Sequence, residues 1–239
     1  MSQLISIGFD NDTLYQRATQ LALQLGLVVD NHTFPRLSIM PDKLVLLLEN
    51  FSPLFVDFNS VFLKKRRDAG KKQGLVQACK PAKGVRILDV TAGWGRDAAV
   101  LASFGAEVLM FERQPVMAAL LEDGLSRMFH DSSIKMALSL LRMDAKRYLQ
   151  DLTVVDYPDI IYIDPMHPTR HKSALVKKDM QALQQLIGAD NDAIDLIQLA
   201  LHRARRRVVV KWPQRLAPLL QPSQCINGKT VRFDVYVIP

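Results

Sequence analysis

One stretch constrains this chain more than any other: Ile87-Leu88-Asp89-Val90-Thr91-Ala92-Gly93-Trp94-Gly95-Arg96-Asp97. It is an apolar run that ends in an acid, turns over two glycines and opens a helix. A second apolar run, Ile160-Ile161-Tyr162-Ile163, ends in Asp164-Pro165-Met166-His167-Pro168. In open α/β sheets, ligands bind beyond the carboxyl ends of the strands, near the point where strand order reverses. Two strand ends of this kind can face one cleft. One side would hold a nucleotide-like cofactor and the other a planar amine.

The rest of the pattern fits such a sheet. From Val85 onward, strands are read at 85–90, 107–111, 137–142, 158–163, 207–211 and 231–237. Helices fall near 96–104, 115–129, 175–187 and 191–204. This alternation predicts a parallel, doubly wound sheet over 85–239. The last strand alternates with period two and reads as an antiparallel edge strand. Residues 1–60 read as a small N-terminal α/β subdomain. Its helix runs from Tyr15 to Leu25 with Gly26 as C-cap, and its strands are Leu37–Met40, Lys43–Leu48 and Leu54–Phe58. Residues 61–84 read as a basic connecting segment.

Bulk properties narrow the partners. A length of 239 residues suits one domain with a smaller appendage. The net charge of +7 favours an anionic partner, of which nucleic acid is the commonest large one. Cys79 and Cys225 lie far apart and read as reduced thiols rather than a disulfide framework. No Cys, His and carboxylate set has ligand spacing, so no metal is expected. No apolar run approaches the ~20 residues that span a bilayer, and no signal peptide is evident, so a cytoplasmic protein is expected.

The cofactor side follows from Asp89, Ala92, Gly93 and Gly95, which let the backbone turn tightly beside a ligand, and from Arg96 and Asp97, which open the next helix. Glu112 ends the next strand, where a carboxylate can accept both hydroxyls of an adenosine ribose. Asp144 follows the third strand, within reach of an adenine amino group. A pyrophosphate needs the tighter G-x-G-x-x-G turn, and Asp97 in A-G-W-G-R-D disfavours phosphate. S-adenosylmethionine (AdoMet) carries a sulfonium and an ammonium and suits these carboxylates better.

The acceptor side is Asp164-Pro165, similar to the D/N-P-P-aromatic turn of amino-group methyltransferases. A nucleobase amine is a poor nucleophile because its lone pair is delocalised into the ring. Hydrogen bonds to the Asp164 carboxylate and a following carbonyl would orient it. Pro165 stiffens the turn, and His167 stands where a planar side chain could stack on a flipped base. Lys64, Lys65, Arg66 and Arg67 form one basic cluster, and Arg170, Lys172, Lys177 and Lys178 form another beside the acceptor turn. Both suit an RNA substrate.

With these residues laid out, the chain resembles the bacterial small-subunit ribosomal RNA guanine-N2 methyltransferase J family. The matching runs include Phe55–Phe58 with Arg66-Arg67, Asp89–Ala98, Val100–Gly105, Glu112-Arg113, Asp164-Pro165-Met166, Lys172–Lys178, Arg207–Lys211 and Arg232–Tyr236. The resemblance implies a Rossmann-like class I AdoMet-dependent methyltransferase fold. It implies N2 methylation of guanosine 1516 in 16S rRNA, with naked rRNA or the small ribosomal subunit as partner. Carried over by position, it places AdoMet contacts on Arg96, Asp97, Glu112, Arg113 and Asp164, with a further pair at Asp144 and Ala145. Where that family has Phe or Tyr after D-P-M, this chain has His167. Two other readings stay open on the residues alone: a non-catalytic RNA-binding protein that kept the sheet, and a methyltransferase acting on another amine.

Overall fold

The computed structural model describes residues 5–131, 135–165 and 192–239. Two sheets organise it. The smaller has four strands in the order β2-β1-β3-β4, formed by β1 (Ser6–Phe9), β2 (Val28–Val29), β3 (Arg36–Ile39) and β4 (Leu44–Leu47). β1 runs parallel to β2 and β3, and β4 returns antiparallel. Helix α1 (Tyr15–Leu25) packs on β1 and β2 through its small buried residues Ala18 and Ala22. It ends where predicted, at Gly26 in the left-handed conformation.

The larger sheet has seven strands in the order β10-β11-β9-β8-β5-β6-β7. Its parallel strands are β5 (Arg86–Asp89), β6 (Glu107–Phe111), β7 (Leu138–Leu141), β8 (Ile160–Ile163) and β9 (Arg207–Pro213). Helices α4 (Arg96–Ser103), α5 (Pro115–His130), α6 (Ala145–Asp151) and α7 (Ala193–Leu201) flank them. β8 is wholly apolar but for Tyr162, and all four of its residues are buried, as a central strand covered on both faces must be. Strand order reverses between β5 and β8, because β5 pairs onward to β6 while β8 pairs onward to β9. That switch point puts a cleft at the carboxyl ends of these two strands.

Several expectations are corrected. The strand β11 (Val231–Val237) is antiparallel, but it is not the edge. A short strand, β10 (Gln224–Asn227), pairs outside it. Its residues are mostly exposed, which is why no apolar alternation announced it. Leu54–Phe58 is not a strand. Only Leu54 makes an isolated bridge to Leu46, while Val56 and Phe58 turn into the core. There they press on α5 at Gly124, where a Cβ would meet Val56 Cγ1 at 2.5 Å. Segment 61–84 holds two α-helices, α2 (Val61–Asp68) and α3 (Gly74–Cys79). α2 is capped by Ser60, whose hydroxyl accepts from Leu63 N–H, and Leu63 is its one buried residue. The expected helix at 175–187 lies outside the described residues. No helix among the described residues is long and apolar enough to cross a membrane.

Candidate active site

The site is a row of side chains along the carboxyl edge of the large sheet. Pairing sets Asp89 opposite Met110 of β6 and Tyr162 of β8, and Tyr162 opposite Val209 of β9. Strand residues two apart share a face. Two steps on, the same register lines up Glu112, Thr91, Asp164 and Lys211. Glu112, Thr91 and Asp164 lie just beyond the ends of their strands, and Lys211 follows the apolar run Val208-Val209-Val210 inside β9.

The turn after β5 is built for close approach. Gly93 and Gly95 both take positive φ, 52° and 67°. A Cβ on Gly95 would also meet Leu121 Cδ2 at 2.9 Å and Phe58 Cε1 at 3.0 Å. Glu112 is buried and ties this turn to the end of β6. Its Oε2 accepts from Gly93 N–H at 3.3 Å and its Oε1 from Gln114 N–H at 2.8 Å. Asp89 is buried beneath the turn and accepts from Thr91 N–H at 3.2 Å. Burial pushes its carboxyl up to about 8. Beside them, the Trp94 indole Nε1 is buried with no hydrogen-bond partner among the described residues.

The acceptor turn is joined to this one. Asp164 N–H donates to Thr91 Oγ1 at 2.6 Å. Asp164 Oδ2 accepts from Lys211 Nζ at 2.7 Å, and the same ammonium reaches Asp97 Oδ2 at 3.0 Å. Asp97 also takes Tyr162 Oη–H at 2.6 Å and Arg66 Nη1–H at 2.6 Å. Burial would raise the Asp97 carboxyl, but the Lys211 and Arg66 cations outweigh it and hold the group well below the usual carboxylate range. Burial raises the Asp164 carboxyl, with Lys211 pulling the other way. Burial would lower the Lys211 ammonium, and its two carboxylate partners more than offset that, leaving it above its ordinary value.

The remaining expected residues fall as follows. Asp144 caps α6, accepting from Lys146 N–H at 2.8 Å, and lies 3.7 Å from Arg113 Nη1. Ala145 is buried at the start of that helix, and Pro165 is buried. Arg96 stands over the rings of Phe62 and Trp94. Lys64, Lys65 and Arg67 are exposed on α2, whereas Arg66 turns inward to Asp97. His167, Arg170, Lys172, Lys177 and Lys178 lie outside the described residues. Sequence reasoning passed over Lys211, Tyr162 and Thr91 as site residues. Lys211 carried a signal: it is the cation inside β9 that directly follows the apolar run Val208-Val209-Val210, as Asp89, Glu112 and Asp164 follow theirs.

The donor set suits AdoMet. Acceptors predominate at the ends of β5 and β6, two glycines leave room beside them, and a buried indole N–H lacks a partner among the described residues. Comparisons with known proteins agree. Residues 20–238 match the model of a SAM-dependent methyltransferase family. The ribosomal RNA small subunit methyltransferase J of Legionella pneumophila (strain Corby) is 57% identical over 99% of this chain and 98% of its own length. The protein of the same name from Thioalkalivibrio sulfidiphilus is 39% identical over 98% of this chain and 97% of its own. A crystal structure of a SAM-dependent methyltransferase from Neisseria gonorrhoeae superposes with a TM-score of 0.72 and 28% identity, covering 97% of this chain and 95% of that one.

Proposed function

Since this chain belongs to the ribosomal RNA small subunit methyltransferase J family, we propose that it methylates the exocyclic N2 amine of a guanosine in 16S rRNA. The observation that carries the reading is the 2.6 Å hydrogen bond from Asp164 N–H to Thr91 Oγ1. It fixes the acceptor turn against the cofactor turn, so that two reactants bound to them are held at one separation. AdoMet, when bound, would supply an electrophilic methyl group, the sulfonium S–C bond breaking as the N–C bond forms and S-adenosylhomocysteine leaving. Glu112 would hold the ribose hydroxyls, using lone pairs beyond those given to Gly93 and Gln114. Asp144 takes the adenine end, and Arg96, Asp97 and Arg113 line the approach.

Asp164 acts on the acceptor. Its carboxylate would accept a hydrogen bond from the guanine N2–H and so hold the amine in one orientation. It also offsets the positive charge that grows on nitrogen as the new bond forms. Pro165 stiffens the turn behind it, and the role of stacking on the base is assigned to His167, which lies outside the described residues. Lys64, Lys65 and Arg67, with Arg170, Lys172, Lys177 and Lys178, bind RNA phosphates in the cytoplasm, on rRNA or the small subunit.

The test is methylation in vitro of 16S rRNA and of small subunits from cells lacking the protein, with mass spectrometry of the digested RNA. One new N2-methylguanosine, absent with Asp164→Ala, is expected. AdoMet binding without methyl transfer to either substrate would overturn the reading in favour of a non-catalytic RNA-binding role.

A further inference from the structure

Lys211 bridges the two carboxylates of the site, Asp97 and Asp164. Arg66 from α2, Asp97 from α4, Tyr162 from β8 and Lys211 from β9 meet in one cluster, and the Lys211 ammonium bonds Asp164 into it. An ion-pair network among partly buried side chains is a poor means of stabilising a fold, because desolvation cancels much of the attraction. Four elements have nevertheless been brought together at the carboxyl edge, beside the acceptor turn. The cations and carboxylates balance: Arg66 and Lys211 against Asp97 and Asp164.

We propose that Lys211 is a positioning residue for methyl transfer, its ammonium clamping the Asp164 carboxylate against Asp97 so that one face of that carboxylate is presented to the acceptor amine. The proposal rests on the functional reading above. Among the described residues, Asp164 is faced by Lys211 of β9, Asp97 of α4, Arg66 of α2, Tyr162 of β8, and Asp89 and Thr91 at the end of β5. Of these two cations, Lys211 is the one that bonds to it, at 2.7 Å. Without that ammonium, Asp164 would share its surroundings with two other carboxyl groups and take up a proton more readily. A protonated Asp164 would be a poor acceptor for N2–H. The clamp also makes Asp164 a weaker base than burial alone would leave it, which suits a group that orients an amine and leaves the proton to solvent.

Two measurements test this. The first follows the Asp164 side-chain carboxyl carbon by NMR in aspartate-labelled protein, assigned with Asp164→Asn. In Lys211→Met its titration should move up by about 1–3 pH units, the usual effect of an adjacent opposite charge. Lys211→Arg should restore most of the difference. The second is single-turnover methylation against pH. Lys211→Met should be on the order of 100-fold slower at neutral pH. Its rate should keep rising with pH where the wild-type rate is flat, and RNA affinity should be unchanged. Lys211→Gln serves as the second neutral variant should the methionine variant fold poorly by thermal melt. An Asp164 titration identical in wild type and the neutral variants overturns the proposal, with or without RNA. A shifted titration in a wild-type protein that methylates no guanosine overturns the functional reading and the role in transfer with it, while the clamp itself stands.

Discussion

Thr91 and Asp164 lie at the ends of different strands of the large sheet, and the Thr91 hydroxyl accepts the Asp164 backbone N–H at 2.6 Å. Thr91 also donates its own N–H to Asp89. It thereby connects the end of β5, the cofactor turn and the acceptor turn. Valine has the same shape without the hydroxyl. Thr91→Val should leave the Asp164 N–H without this acceptor and cost about 1–3 kcal/mol in denaturant unfolding. The transfer rate should fall on the order of 10- to 100-fold with RNA affinity intact. Single-turnover kinetics check this. A variant as fast as the wild type would show that the link does not set the geometry.

Glu112 has two duties, to the turn and to the proposed ribose. Glu112→Ala removes the acceptor of Gly93 N–H and Gln114 N–H as well as that of the hydroxyls. AdoMet affinity should drop by about 1–3 kcal/mol, read by calorimetry. Glu112→Gln keeps an acceptor oxygen and should recover part of the loss. Unchanged affinity in the alanine variant would remove Glu112 from the cofactor site.

How far the sequence was legible depends on what each residue's signal was. β5, β6, β8 and β9 are apolar runs in a strand–helix alternation, and buried strands leave that mark. Asp89, Glu112 and Asp164 were visible because each closes such a run. α2 was hidden because its eight residues contain one buried side chain and a run of four cations, which reads as a solvated linker. Arg66 within that run could not be separated from its neighbours by sequence. Its inward turn comes from its place on the helix, facing Asp97 of α4. β10 was hidden for the same reason as α2, an edge strand with little apolar character. Long-range polar bonds such as Tyr162 to Asp97 arise from topology and have no local sequence signature.

Asp89 makes a pH prediction with a definite sign. Its carboxyl titrates near 3.8 ordinarily and is pushed up to about 8 by burial in the fold. Between these values the unfolded chain has lost the proton and the folded chain keeps it. Folded stability from this group therefore falls as pH rises from about 4 to 8, then levels off. Asp89→Asn cannot titrate. The stability difference, variant minus wild type, should rise across that window and stay flat above it. Urea unfolding at several pH values measures this. A difference independent of pH would mean that Asp89 is ionised in the folded protein throughout.

The basic face of α2 should divide into two kinds of residue. Lys64, Lys65 and Arg67 are exposed, and binding phosphate there would release counterions. Arg66 is engaged with Asp97 at 2.6 Å and lies in the same cluster as Lys211. Neutralising Lys64, Lys65 and Arg67 together should weaken RNA binding. It should also reduce the slope of log affinity against log salt by about 0.7 for each single-stranded phosphate that is no longer neutralised. AdoMet affinity and the single-turnover rate at saturating RNA should hold. Arg66→Gln should do the reverse, leaving the salt slope nearly unchanged while slowing transfer, because Asp97 then draws more on Lys211 and the clamp on Asp164 loosens. Binding isotherms at several salt concentrations, paired with single-turnover rates, separate the two. Equal effects of both variants on the salt slope would return Arg66 to the RNA-binding face and remove it from the site.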